Sequence, residues 1–359
     1  MGLGRTFRMA SAGVGIAGLA AFVLPSAAAY GATITVSPGQ SIQTAVNNAH
    51  AGDTIHVAAG TYQQAVEITK SLNIIGDGQG ATILVPPPTA PKTLSPNCAD
   101  PAFPNVFNGM CIHGTFDQQG NVVTPVGPVR VNGFTVKNFN GTGVVFFGAS
   151  SPHVDHVTLL NNTEYGTAAF VSSNDFFDQN IANQNGEAGI YLGDSPQARA
   201  TVTNNQAMNN LNFGIFLRDA SGTTAAPARV ANNSVRGNCA GIFFLNTGAN
   251  PANWEASGNL AAANNRVCQG DEGPSGGGIG IGVDGVNSVN VHDNLVRNNV
   301  PSARVDISGG VAVLDGASHT VVKGNQITGN SPDIFWDRSG TSNSFTGNVC
   351  HTSVPSGLC

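Results

Sequence analysis

Residues 189–219 read GIYLGDSPQARATVTNNQAMNNLNFGIFLRD. The stretch opens and closes on one pattern, a glycine followed by alternating apolar residues and a charged end. Gly189-Ile190-Tyr191-Leu192 returns 25 residues later as Gly214-Ile215-Phe216-Leu217. Upstream stand Gly143-Val144-Val145-Phe146 and Gly166-Thr167-Ala168-Ala169. Downstream stand Gly241-Ile242-Phe243-Phe244, Gly280-Ile281-Gly282-Val283 and Gly310-Val311-Ala312-Val313, with Asp333-Ile334-Phe335-Trp336 as a degenerate last copy. The start-to-start steps are 23, 23, 25, 27, 39, 30 and 23, a constant minimum with longer steps that read as loop insertions. A fixed period of this length marks a repeat architecture.

Asn-rich corners separate the strands: Asn161-Asn162, Asn204-Asn205, Asn209-Asn210, Asn232-Asn233, Asn264-Asn265 and Asn298-Asn299. Asn tolerates left-handed backbone and so suits tight corners. At matching positions of stacked coils it also forms hydrogen-bonded ladders. Further strand signals, as in Ala200-Thr201-Val202-Thr203 and Val289-Asn290-Val291, give each repeat two or three short strands and no helix. The period is too short for a propeller blade. It fits one coil of a parallel β-solenoid, about 4.8 Å above the last.

Composition agrees. The 359 residues include 46 Gly and 39 Asn, poor helix formers, which argues against a helical bundle. Charged residues are only 10% and hydrophobic ones 41%, which argues against disorder. The formal net charge is -6 with no basic run, so nucleic acid is not an expected partner.

Arg5 and Arg8, the apolar run Met9–Leu24, Pro25 and Ala27-Ala28-Ala29 read as a secretion signal cleaved after residue 29. Residues 30–359 then form a single domain with no further span, and the product is secreted. Six cysteines, Cys98, Cys111, Cys239, Cys268, Cys350 and Cys359, suit disulfides in an exported chain. Nearest-neighbour pairing is the simplest of 15 connectivities. Ser41–Val46 reads as a short amphipathic helix capping the first coil, with Asp53–Val57 as the first strand. Residues 86–108, Pro-rich and carrying Cys98, read as a loop insertion before Gly109-Met110-Cys111-Ile112 resumes the pattern.

The run Gly52–Val57, Gly60-Thr61-Tyr62 and Ile74-Ile75-Gly76 resembles the start of secreted right-handed parallel β-helix proteins of the pectate-lyase-like superfamily. The Gly/Asn repeats from Val131 to Val349 resemble its generic repeats. The resemblance implies an all-β right-handed parallel β-helix over nearly the whole mature chain; the activity stays open, since one fold hosts many. A polygalacturonase-like hydrolase would carry an Asp-Asp pair and Gly-His-Gly, and neither is present. The methylesterase-like turn Gly60–Tyr62 lacks its later active strand. The Asp-Pro-His of alginate-type epimerases finds only Ser151-Pro152-His153-Val154-Asp155-His156, read as a corner with two solvated histidines. His153 and His156 with one carboxylate are a thin metal signal, and no metal is assigned.

Alternate residues of a strand face opposite sides. Aligning the repeats gives one outward column of Val145, Ala168, Tyr191, Phe216, Phe243, Gly282, Ala312 and Phe335. The next reads Phe147, Phe170, Gly193, Arg218, Leu245, Asp284, Leu314 and Asp337, followed at the strand end by Asp194, Asp219, Asn246 and Asp315. Tyr191, Phe216 and Phe243 are thus expected as an exposed sugar-binding strip, beside a catalytic cluster of Arg218, Asp219, Asp194 and Asp284. Arg218 would be base or electrostatic stabiliser, with the three Asp holding Ca²⁺, the one candidate cofactor. Alternatively, two of the carboxylates would serve hydrolysis. These features predict an extended carbohydrate polymer as partner and an acidic polysaccharide as substrate of a lyase, epimerase or hydrolase. The alternative is a non-catalytic scaffold or adhesion module of the cell surface, in which loops cover the aromatics and the Asp residues cap turns.

Overall fold

The computed structural model describes residues 31–89, 94, 95, 98, 106–195, 198–220, 228–248, 252–269 and 276–359. The signal-peptide reading of residues 1–29 lies outside these, as does most of the insertion 86–108. Gly31–Cys359 forms one compact unit. Three parallel sheets run its length: sheet A with twelve strands from Thr33–Val36 to Ser344–Thr346, sheet B with ten from Gly60–Gln63 to Gln326–Thr328, and sheet C with eleven from Val66–Ile68 to Ser353–Val354. Each complete coil contributes one strand to each sheet in the order A, B, C, and each strand pairs with its counterparts one coil away. Parallel crossovers of this kind are right-handed, and the chain is a right-handed parallel β-helix.

The corners explain the Asn content. Asn161, Asn204, Asn209, Asn232 and Asn298 take left-handed backbone, with φ between 54° and 57°. Their neighbours turn inward and stack. Asn162, Asn185, Asn210, Asn238, Asn264 and Asn299, all buried, and the half-buried Asn330 form one ladder in which each carboxamide donates to the Oδ1 of the next coil at 2.8–3.2 Å. The ladder ends on the Asp333 carboxylate. A second runs through Asn180, Asn205, Asn233, Asn259, Asn294, Asn325 and Asn348. Within the Asn264-Asn265 pair the roles shift by one, Ala263 taking the left-handed position at φ 51°. Each rung satisfies backbone groups that a dry corner would otherwise strand.

Inside the coils lies a column of Val, Ile, Leu, Phe and Ala. The helix Ile42–Asn48, with the Ser41 hydroxyl accepting from Thr44 N–H at 3.1 Å, packs Ile42, Ala45 and Val46 onto its open end. One expectation is corrected here: Thr33–Val36, not Asp53–Val57, is the first strand, pairing with Thr54–Val57 after the intervening helix. Cys98–Cys111, Cys239–Cys268 and Cys350–Cys359 are all bonded, the pairing that nearest neighbours gave.

Candidate functional site

The outward columns of sheet C have the register that the repeats gave. Val145, Ala168, Tyr191, Phe216, Phe243, Gly282, Ala312 and Phe335 are successive partners. So are His113, Phe147, Phe170, Gly193, Arg218, Leu245, Asp284 and Leu314. Exposure is where expectation fails. Tyr191 is 2% exposed, and Phe216 and Phe243 are fully buried, so they form no open sugar-binding strip. They belong to a second apolar cluster on the outside of the sheet, with Phe213, Ile279 and the Cys239–Cys268 bridge packed over them. Phe213 stacks on Phe216 at 4.1 Å. The Tyr191 ring lies flat over Gly193, and that of Phe243 against Gly282, where any Cβ would collide. The sequence signal was available: a bulky residue just before the repeat glycine, Phe213 or Ile279, lengthens the strand and covers its neighbour.

The half-buried aromatics lie two coils earlier. Phe147 and Phe170 stack at 5.2 Å, with Tyr165 edge-on to Phe170 at 6.2 Å. Phe147 and Phe170 stand in the second column, in line with Arg218 and Asp284. At about 4.8 Å per coil, roughly 34 Å separates Phe147 from the level of Asp337.

The four expected catalytic residues do not meet at one point. Asp194 and Asp219 occupy the corner that ends each sheet C strand, with φ of 51° and 48°. Asp315 takes the same corner at 49°, and Gly285 at 64°. Asp and Gly tolerate that conformation, so the turn alone accounts for these residues. Asp194 is exposed. The Asp219 carboxylate, 6% exposed, accepts from the Thr247 amide at 2.7 Å and from its hydroxyl, and Arg218 Nε lies 3.7 Å away. Asp194, Asp219 and Asp284 do not form the expected Ca²⁺ cage. Among the described residues only Glu67, Cys98 and His113 bring three such donors within 4.8 Å. Cys98 is in a disulfide there, and Glu67 is already paired with His113 at 2.8 Å.

Asp284 differs, because Gly285 makes its turn and Asp284 itself sits in the strand column. It is 7% exposed. Burial, then the charge and hydrogen bonding of Asp315, then the charge of Asp337, push its carboxyl up to about 7. The Asp337 carboxylate accepts from Asp315 N–H at 2.7 Å and Ser339 N–H at 2.9 Å. A buried carboxyl raised toward neutrality thus sits beside two exposed carboxylates, one on each of the next two coils, an arrangement suited to acid–base chemistry. Asp315 and Asp337 were in the aligned columns but were not singled out as site residues.

Sheet A carries a second polar group. Asp155, 3% exposed, accepts Arg130 Nε at 2.8 Å and Nη2 at 2.7 Å, and Asn132 Nδ2 at 2.6 Å. His153 Nε2 lies 3.1 Å from it and His156 Nδ1 3.0 Å. Burial pushes Asp155 up, but Arg130 and the histidines outweigh it and hold the carboxyl below its ordinary value. The run Ser151–His156 is therefore more than a solvated corner: its histidines are organised on a buried carboxylate. Arg130, the partner that sequence reading missed, stands one coil earlier, 23 residues before His153 and in register with it.

A family model described as the right-handed beta helix region matches residues 105–260. Among solved structures, the Azotobacter vinelandii mannuronan C-5 epimerase AlgE6 A-module is similar at 18% identity, with 86% of this chain and 88% of that chain covered and a TM-score of 0.56. The AlgE4 A-module of the same organism follows at 16% identity, 86% and 89% coverage, and 0.54. The enzymatically active domain of bacteriophage CBA120 tailspike protein 2 gives 12% identity and 0.55, over 85% of this chain but 44% of that one. The search of curated proteins finds no match. Sheet topology, register and these likenesses give the chain the fold of a right-handed parallel β-helix.

Proposed function

We propose that this is an exported protein that binds an extended acidic polysaccharide along the outer ridge of sheet C and cleaves it by carboxylate acid–base chemistry. The observation that carries the reading is Asp284, held near pKa 7 beside Asp315 and Asp337 where no turn requires an acid. In its protonated form Asp284 donates to a glycosidic oxygen, while an ionised neighbour activates water or attacks. Phe147 and Phe170 offer ring faces for sugar stacking upstream. Arg218, between them and Asp284, supplies the positive charge for a uronate. Similarity to the epimerase modules and to the tailspike domain supports polysaccharide as the substrate class. The signal-like residues 1–29 and the three disulfides support export.

The test is release of reducing ends, with ultraviolet absorbance of unsaturated uronides in parallel, on a panel of acidic and neutral polysaccharides. Asp284→Asn should lower reducing-end release by about 10²-fold or more without lowering the unfolding temperature. Absorbance in place of plain reducing ends would replace hydrolysis with elimination. A non-catalytic scaffold or adhesion module is the second reading, favoured by the burial of Tyr191, Phe216 and Phe243 and by the Thr247 bonds of Asp219. Silence on every polymer, with binding retained, would establish it.

A further inference from the structure

The Asp155 group on sheet A uses only part of each side chain that surrounds it. Arg130 spends Nε and Nη2 on Asp155, His153 its Nε2 and His156 its Nδ1. Among the described residues no hydrogen bond reaches Arg130 Nη1, His153 Nδ1 or His156 Nε2. All three side chains reach solvent, at 42%, 34% and 51% exposure, while the carboxylate between them is 5% exposed. A buried anion thus orients three basic groups and leaves their outer nitrogens available. Phe176, half-buried, meets the His153 ring edge-on at 4.4 Å.

We propose that Arg130, His153 and His156 form a pH-gated oxyanion site on the outer face of sheet A, which takes a carboxylate or sulfate group of an acidic glycan. The gate follows from the charges that face it. Asn73 and Ile75 flank the group on one side and are neutral. On the other side stands Asp178, which accepts from Thr203 Oγ1 at 2.7 Å, Asn204 Nδ2 at 2.7 Å and Gln179 Nε2 at 2.8 Å. Its carboxyl is held below the ordinary value by these bonds and by His156, against burial, so it stays charged. With neutral histidines the formal sum is Arg130 +1, Asp155 -1 and Asp178 -1, or -1 in all. With both histidines charged the same sum is +1. Histidine changes charge between about pH 5 and pH 8, and burial makes His153 charge toward the acid end of that range. The chain as a whole, at -6 with neutral histidines, disfavours a polyanion at neutral pH, so acidification strengthens the attraction at this site.

The experiment is calorimetric titration of the intact protein with a uronic-acid hexasaccharide at about pH 5 and about pH 8, with histidine proton resonances followed by NMR. Inorganic sulfate in a parallel arm separates recognition of the group from recognition of the polymer. The wild type should bind about tenfold more tightly at the acid pH, with the His153 and His156 signals shifted by ligand. His156→Gln, at a half-exposed position that leaves the Arg130–Asp155 pair intact, should lose most of that gain. Phe170→Ala, on the sheet C ridge, should leave the histidine shifts in place even if it abolishes cleavage, which keeps this site separable from the catalytic reading. Equal affinity at both pH values, retention of the acid gain in His156→Gln, or histidine signals unmoved by saturating hexasaccharide would each overturn the proposal.

Discussion

The outer faces of sheets A and C are built from the same coils in the same register, yet they differ in what covers them. On sheet C the outward column is aromatic and buried through its middle, under Phe213, Ile279 and a disulfide. On sheet A the outward residues are Arg130, His153, Phe176, Thr201, Arg229 and Glu255, and they stay at least partly open. Large apolar residues on a solenoid's outside therefore report a second core, while polar residues with leftover bonding capacity report a surface.

Truncation tests that contrast at its strongest point. Phe216→Ala removes a fully buried ring that touches Tyr191, Phe213 and Phe243. It should cost about 3–5 kcal/mol. Phe176→Ala, from the equivalent outward position of sheet A, should cost under about 1 kcal/mol, because the ring keeps one side in water. Chemical denaturation of the two variants reads both values. Equal losses would mean that sheet A is covered as well.

Register was legible in the sequence and cover was not. The glycine-led repeat survives insertions of any length, because loops leave the coil at corners and return to the same column. Hence Tyr191, Phe216 and Phe243 were correctly aligned and wrongly exposed. Cover depends on residues one step outside the motif, such as Phe213, and on Tyr165, which stacks on Tyr191 at 4.6 Å from the preceding corner. The Asp columns misled for a related reason. A corner needing φ near 50° selects Asp for its backbone tolerance, so Asp194 and Asp219 carry the residue type of a catalyst for a structural cause. The alignment already set Asp284 one place before them, in the strand, and the left-handed backbone at Asp194, Asp219 and Gly285 gives that offset its meaning.

Acidity offers a second comparison, between the inside of sheet A and the outside of sheet C. Asp175 stands in the inward column, opposite Pro152 and Ala200, 1% exposed, with no hydrogen-bond partner for either carboxyl oxygen among the described residues. Burial pushes it up to about 7, against the opposing effect of the nearby Ser172 hydroxyl. A folded-state pKa above the unfolded one gives stability that is fully present below about pH 4 and is lost as pH rises through about 7. At about 1.4 kcal/mol for each tenfold change in proton affinity, the loss is on the order of a few kcal/mol. Asp284 shifts in the same direction over the same window. The depressed carboxyls Asp155 and Asp333 act only at the acid end. Asp175→Asn should therefore remove about half of the fall in unfolding free energy between about pH 5 and pH 8, and the double variant with Asp284→Asn most of the rest. A slope unchanged in Asp175→Asn would place the titrating group on the outer face instead.

The smallest effect concerns the corner itself. Val171 occupies the same strand-end position as Asp194 one coil away, at φ 51° and 44% exposed. A β-branched residue is disfavoured in that conformation, whereas Asp finds local hydrogen bonds there. Val171→Asp should stabilise the fold by about 1 kcal/mol, and Asp194→Val should destabilise it by a similar amount. Neither side chain is buried, so packing contributes little to either change, and the two unfolding midpoints should move in opposite directions. Cleavage should follow neither. If Asp194→Val abolished reducing-end release while the unfolding midpoint moved only by the corner term, the acids of this column would be chemical as well as structural. The division drawn between Asp194 and Asp284 would then have to be given up.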